Sequence, residues 1–114
     1  MTTLMLRVLL GAAVAWQAVV VSADSAAKHV GETATVEGTV ANVKHAPRFH
    51  AIFVDFGSAY PNQSFTAYID EKNASKFPDV DKLMSHKAKV TGKIVLYRGK
   101  PEIVVEEASQ LVGE

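Results

Sequence analysis

The chain has 114 residues, enough for one small domain, and 48% of them are hydrophobic, which excludes an intrinsically disordered protein. Twelve lysine and arginine residues balance twelve aspartate and glutamate residues, so bulk positive charge cannot drive binding to nucleic acid or membranes. The absence of cysteine excludes a disulfide scaffold, a cysteine-based zinc site and a thiol nucleophile.

The N-terminal segment has the parts of a secretory signal peptide. Arg7 precedes the apolar run Val8–Val21, and Val21-Ser22-Ala23 fits a cleavage-site pattern. The run is shorter than the about 20 apolar residues that a membrane span needs. We therefore predict cleavage after Ala23, with Ala27 as the second choice and an uncleaved anchor as the alternative. This divides the chain into a signal peptide, 1–23, and one domain, 24–114.

The rest of the chain is predicted to be mostly β-strand, because apolar and polar residues alternate along it with a period of two. The pattern also predicts one short helix over Glu71–Phe77, which Pro78 ends. The five predicted strands are Thr33–Val43, Phe49–Phe56, Ser64–Asp70, Lys87–Tyr97 and Glu102–Glu106.

Five short strands in an open sheet would leave unpaired edges, so closure into a small barrel is expected, with the helix covering one end. Gly38 and Gly92 lie in mid-strand and are interpreted as barrel corners, although they could also mark a faint repeat. One of Phe53 and Phe56 should fill the interior. The other residues expected there are Val36, Val40, Ile52, Val54, Phe65, Ile69, Val90, Ile94, Leu96, Ile103 and Val105.

Several motifs give the chain a family resemblance. They are Val30-Gly31-Glu32, VEGTV (36–40), FVDFG (53–57), FTAYI (65–69), VTGKI (90–94) and YRGKPEI (97–103). With these motifs the chain resembles the OB-fold family, whose members are five-stranded Greek-key β-barrels. It is similar to small secreted bacterial OB domains and to OB modules of the anticodon-binding and helicase-associated kind. The resemblance covers residues 30–111.

The resemblance implies a binding face on the second and third strands, flanked by the loops around residues 44–50 and 98–100. Basic side chains there would contact phosphates and aromatic side chains would stack on bases. The predicted phosphate contacts are Lys44, Arg48, Arg98 and Lys100, and the predicted stacking residues are Tyr60, Tyr68 and Tyr97, with Phe49 as a further candidate. The acids are expected elsewhere, at Asp79, Asp81, Glu102, Glu106 and Glu107. The alternative is that these are ordinary polar loops and half-buried tyrosines.

Neither a metal, a cofactor nor catalysis is expected. His45 and His50 should lie on opposite faces of a strand, and no nearby carboxylate completes a zinc site. The sequence contains no hydrolase, metalloprotease or P-loop motif. Of the strand acids near the binding face, Asp70 is expected to cap the helix, which leaves Asp55.

These observations predict an exported, non-enzymatic OB-fold binding module, bacterial and periplasmic or secreted, and monomeric. Its expected ligand is single-stranded nucleic acid or another polyanion, held weakly. One alternative is a protein- or peptide-interaction module of the cell envelope, which the near-neutral charge favours. A second is a minimal cation-dependent nuclease that uses Asp55.

Overall fold

The computed structural model describes residues 19–114, which form strands and short 3-10 helices. The strands are β1 (Val19–Ser22), β2 (Thr33–Ala46), β3 (Ala51–Phe56), β4 (Phe65–Asp70), β5 (Lys87–Tyr97), β6 (Lys100–Val105) and β7 (Leu111–Gly113). The 3-10 helices are Ala23–His29, Pro47–Phe49, Glu71–Lys76, Val80–Leu83 and Ala108–Gln110. Among these residues no helix is both long and apolar enough to cross a membrane.

Strands β2 to β6 close into a barrel. Antiparallel pairs join β2 to β3, β3 to β4, β5 to β6 and β5 back to β2, and a parallel pair joins β4 to β6. The parallel pair is needed because β6 inserts between β4 and β5. This all-β, five-stranded barrel has an OB-like strand order and confirms the predicted fold class.

The long strand β2 belongs to both halves of the barrel. Its first half pairs with β5 through Thr33–Thr39, and its second half pairs with β3 through Val40–Ala46. Gly38 lies at this change of partner, where a Cβ would be 2.8 Å from the Cβ of Ala23. The glycine interpreted as a corner thus lies where β2 changes partner, and even an alanine side chain there would crowd the layer packed against it.

The interior contains the alternating apolar side chains that the sequence predicts, with one exception. Phe56 fills the core beside Phe65, whereas Phe53 on the opposite face of β3 is only half-buried. Leu96 is 60% exposed, so its predicted place in the interior is wrong. Leu96 pairs with Pro101 near the tip of the β5–β6 hairpin. There the alternation of β5 continues although no core remains to cover its apolar side.

Two 3-10 helices, Glu71–Lys76 and Val80–Leu83, occupy the place of the predicted short helix between β4 and β5. Asp70 caps the first of them as expected, because its Oδ1 accepts a hydrogen bond of 3.0 Å from the backbone N–H of Lys72. Phe77 and Val80 pack against the core from this segment.

The N-terminal end of the described chain also packs on the barrel. Strand β1 pairs in parallel with β2, Val21 and Ala23 are buried, and Ala26 is fully buried in the 3-10 helix that follows. Residues 1–18 of the predicted signal peptide lie outside the described residues. Cleavage after Ala23 stays a prediction.

Candidate functional site

A cavity of about 400 Å³ lies outside the barrel, on the outer face of β3, β4 and β6. One wall is the β3–β4 loop with Tyr60, Pro61 and Gln63, and a second is the β5–β6 hairpin, residues 97–101. The third wall is the end of β2 and the short helix after it, with Lys44 and Phe49. Two loops that are distant in sequence therefore border one cleft, as the barrel topology predicted.

The floor of the cleft is a buried polar row across three strands. Strand register places Asp55 of β3 beside Thr66 of β4, and Thr66 beside Glu102 of β6. The Thr66 hydroxyl donates a hydrogen bond of 3.1 Å to Oδ1 of Asp55 and accepts one of 3.4 Å from Nε2 of Gln63. The hydroxyl thus fixes both the carboxylate and the loop above it. Oε1 of Gln63 is buried and has no hydrogen-bond partner among residues 19–114.

Burial changes the acidity of both carboxyl groups in the floor. It raises the pKa of Asp55, although the Thr66 hydroxyl, the Tyr60 backbone and the charge of Lys44 act in the opposite direction. Burial also raises the pKa of Glu102 to about 7, and no hydrogen bond or cation offsets it. Glu102 is therefore a carboxyl group at the base of the cleft that is protonated below its pKa of about 7 and accepts hydrogen bonds as a carboxylate above it.

Three of the predicted basic residues line the cleft. Nζ of Lys100 donates a hydrogen bond of 3.2 Å to the backbone oxygen of Gln63, which links the hairpin to the β3–β4 loop. Lys44 projects from β2, and its charge acts on Asp55. The guanidinium carbon of Arg98 lies 5.4 Å from the centre of the Tyr97 ring. This distance allows a cation–π contact, so Arg98 partly covers one stacking residue.

Several aromatic side chains lie in or beside the same cleft as these cations. Phe49 and Phe53 line the cleft with ring centres 6.3 Å apart, and Phe53 meets Tyr68 edge to face at 5.6 Å. Tyr60 is 66% exposed in the loop, and Tyr97 is exposed on the hairpin. Because exposed rings offer faces to a planar ligand, these side chains can stack on bases.

The structure brings most, but not all, of the predicted site residues into this cleft. Those that line it are Lys44, Tyr60, Tyr97, Arg98 and Lys100, together with the further candidate Phe49. Arg48 is exposed on the short helix Pro47–Phe49 and does not line the cavity. Tyr68 does not line the cavity, although its ring contacts that of Phe53, which does.

Sequence reasoning missed the acceptors in the floor. Glu102 was grouped with the acids away from the cleft, and this is wrong, because it lines the cavity and is only 8% exposed. A signal was present, since Glu102 directly follows the hairpin loop that was assigned to the cleft. Gln63 and Thr66 carried no comparable signal, because the fold of the β3–β4 loop brings them together.

The histidines of the loop region lie apart and bind separate carboxylates. Nε2 of His45 is 2.8 Å from Oδ1 of Asp81, and Nδ1 of His50 is 2.9 Å from Oε2 of Glu71. Within residues 19–114 no group of three or more histidine, aspartate or glutamate side chains is placed to hold a metal ion.

Comparisons with known proteins support the fold alone. No family model and no curated protein matches the chain. The chain is similar to a crystal structure from Leishmania major Friedlin described as an aspartyl-tRNA synthetase, with a TM-score of 0.57 and 9% sequence identity. The match covers 86% of this chain and 21% of that one, so the similarity spans about a fifth of the larger protein.

Proposed function

We propose that the protein is a non-catalytic OB-type module that binds single-stranded nucleic acid, or another polyanion, weakly in this cleft. The observation that carries the proposal is that one cavity holds Lys44, Arg98 and Lys100 against the rings of Phe53 and Tyr60. Cations that contact the phosphates and aromatic rings that stack on the bases are the two requirements of single-strand binding.

The distribution of charge in the cleft supports phosphate contacts at the rim and bases further in. Arg98 is exposed and Lys100 half-buried on the hairpin, whereas the carboxyl groups of Asp55 and Glu102 are buried in the floor. A phosphate at the rim would therefore meet cations first. With few such contacts and no net positive charge on the chain, binding should be weak and should decrease as salt increases.

We propose further that the protein is exported to the periplasm or the medium and acts as a monomer. The support for export is the segment with Arg7 and the apolar run Val8–Val21. Mass spectrometry of the protein recovered outside the cytoplasm tests the leader, and a mature chain that starts at Asp24 is expected. Light scattering on the purified protein tests the monomer.

The test of nucleic-acid binding is a fluorescence-anisotropy titration of a labelled single-stranded oligonucleotide at low and moderate salt. The wild-type protein should bind and should weaken as salt rises. Arg98→Glu should weaken binding several-fold, because it reverses a charge at the rim. Lys93→Glu is the matched control, since Lys93 is an exposed lysine of β5 that does not line the cavity.

Two results would reject the proposal. Absence of salt-dependent binding would remove its basis, and an equal effect of Arg98→Glu and Lys93→Glu would show only a general charge effect. The oligonucleotide is also recovered from a sample with magnesium and run on a gel. Cleavage that is lost in Asp55→Ala would favour the cation-dependent nuclease instead.

A second candidate function is recognition of a basic peptide of the cell envelope. The buried carboxyl groups of Asp55 and Glu102 favour it, because a lysine or arginine side chain could reach them between the aromatic walls. Addition of an arginine-containing peptide to the same titration separates the candidates. A peptide that binds when no oligonucleotide does would favour the second.

A further inference from the structure

Two groups in the floor of the cleft, the Glu102 carboxyl and Oε1 of Gln63, receive no hydrogen bond from the described chain. Glu102 as a whole residue is 8% exposed, and no hydrogen bond or cation offsets the burial of its carboxyl group, which keeps contact with the cavity; Gln63 is 6% exposed, and its Oε1 is fully buried and unpartnered. A buried acceptor without a donor costs free energy, since it has lost its hydrogen bonds to water. Both residues line the same cavity of about 400 Å³. The floor is thus ready for a ligand that brings N–H donors.

Donors of the floor form hydrogen bonds within the chain, although the Gln63 amide and the Lys100 ammonium each have further N–H groups. The Thr66 hydroxyl donates to Asp55, the Gln63 amide nitrogen donates to Thr66, and Lys100 donates to the Gln63 backbone oxygen. The two groups at the base of the cleft that receive no hydrogen bond from the described chain, the Glu102 carboxylate and Oε1 of Gln63, are acceptors. A ligand edge that alternates donors and acceptors would direct its own lone pairs at a carboxylate, which is unfavourable.

Among the nucleobases, guanine matches such a floor best. Its Watson–Crick edge carries two adjacent N–H donors, the ring N1–H and the exocyclic N2 amino group, and a carboxylate can accept both at once. Uracil and thymine offer one N–H between two carbonyl oxygens, and cytosine and adenine offer an amino group beside a ring acceptor. Aromatic side chains stack on any base, so stacking does not distinguish between bases. Hydrogen bonds from the floor of the cleft would therefore determine which base is preferred.

We propose that the cleft selects guanine, with Glu102 accepting its paired N–H donors while Phe53 or Tyr60 stacks on the ring. The proposal rests on the proposed function, because it assigns a base preference to the same single-strand site. Gln63 lines the same cavity, and its buried Oε1 is the second group there without a donor. Glu102 is here a specificity-determining residue, and Lys44, Arg98 and Lys100 bind the backbone regardless of sequence.

The test compares labelled thymidine hexamers that differ at one central position, thymine, guanine or hypoxanthine. Hypoxanthine keeps the N1–H of guanine and lacks the amino group. The titrations are run at about pH 8, above the pKa of Glu102 of about 7, so that its carboxylate is ionised. We expect the guanine oligonucleotide to bind about tenfold more tightly than the thymine one, the effect of one bidentate pair. The hypoxanthine oligonucleotide should bind only slightly more tightly than the thymine one.

A protein variant gives a second readout. Glu102→Gln replaces the carboxylate with an amide that offers one acceptor, so the guanine-to-thymine affinity ratio should fall towards one. Glu106→Gln, an exposed carboxyl just beyond β6 and outside the cleft, should leave the ratio unchanged. The hypoxanthine comparison needs no variant and therefore does not depend on how Glu102→Gln folds.

The outcomes separate this inference from the proposed function. Salt-dependent binding with equal affinity for all three oligonucleotides would overturn the guanine preference and leave single-strand binding intact. Binding of none of them would overturn both. A guanine preference that hypoxanthine retains in full would also contradict the inference, because the exocyclic amino group would then have no partner in the floor.

Discussion

Thr66 donates a hydrogen bond of 3.1 Å from its hydroxyl to Oδ1 of Asp55, and both side chains are at least 96% buried. The bond joins two strands on the outside of the barrel, where solvent would normally compete for it. Here both side chains are buried below the β3–β4 loop, so water cannot easily replace the hydroxyl as the donor to Asp55.

The first prediction concerns this hydroxyl. Thr66→Val keeps the shape of the side chain but leaves the buried Asp55 carboxylate with one donor fewer, so the free energy of unfolding should fall by about 1–3 kcal/mol. Urea denaturation followed by circular dichroism measures the change. Thr66→Ser keeps the hydroxyl and should retain most of the stability. Equal losses in the two variants would mean that packing of the methyl group, rather than the hydrogen bond, stabilises the site.

The second prediction is a pH dependence of stability that Glu102 causes. Burial raises its pKa from 4.5 to about 7, so between these values the folded protein holds a proton that the unfolded chain has released. Stability should therefore decrease as pH rises from about 4.5 to 7, by no more than about 3 kcal/mol, and level off above that.

Urea denaturation of Glu102→Gln across this range measures the contribution. The variant should lose most of the decrease and should be more stable than the wild type at alkaline pH. Asp55, whose pKa burial also raises, contributes in the same direction and remains in the variant. A wild-type curve that rises through this range, or one that Glu102→Gln leaves unaltered, would contradict the assignment.

The third prediction compares two residues on one face of β5. Ile94 is fully buried and pairs with Ile103, whereas Leu96 is 60% exposed at the hairpin. Ile94→Ala should cost about 2–5 kcal/mol because it leaves a cavity in the core. Leu96→Ala should change the free energy of unfolding by no more than about 0.5 kcal/mol. Chemical denaturation of both variants checks this, and similar losses would place Leu96 in the core after all.

The fourth prediction concerns the corner at Gly38. A Cβ there would lie 2.8 Å from the Cβ of Ala23 and 3.3 Å from the Phe56 ring, so Gly38→Ala should destabilise the protein by about 1–3 kcal/mol. In a chain that retains residues 19–23, a second change, Ala23→Gly, should recover part of the loss. A thermal-melting comparison of the single and double variants measures the recovery. If Ala23→Gly restores nothing, Ala23 does not pack on the corner.

The barrel could be predicted from the sequence because its causes are local. Alternation identified β2 to β6, and the cost of unpaired strand edges required them to close. Leu96 shows where this reasoning fails. Alternation indicates which face of a strand is apolar, but it does not indicate how far along the strand the core extends. The short helix predicted over Glu71–Phe77 is a 3-10 helix, Glu71–Lys76, which ends before Pro78.

The candidate site was predictable only in part. Lys44, Arg98 and Lys100 line one cleft because strand order brings their segments together, and their contact with phosphates stays a prediction. The floor depends on register between β4 and β6, which are 30 or more residues apart along the chain and pair in parallel. Alternation along single strands does not reveal that register. The sequence therefore does not predict that Glu102 lies beside Thr66 in the floor of the cleft, and it places Glu102 on the wrong surface.

The parallel contact between β4 and β6 has a consequence for biosynthesis. The last barrel strand to leave the ribosome supplies Lys100 and Glu102 and fills the gap between two segments made earlier. Pairing between strands that are far apart in sequence forms slowly, because the chain loses conformational entropy before the contacts form. A nascent chain that ends before Lys100 has neither a closed barrel nor the complete lining of the cleft, so the candidate site can form only after β6 has been made.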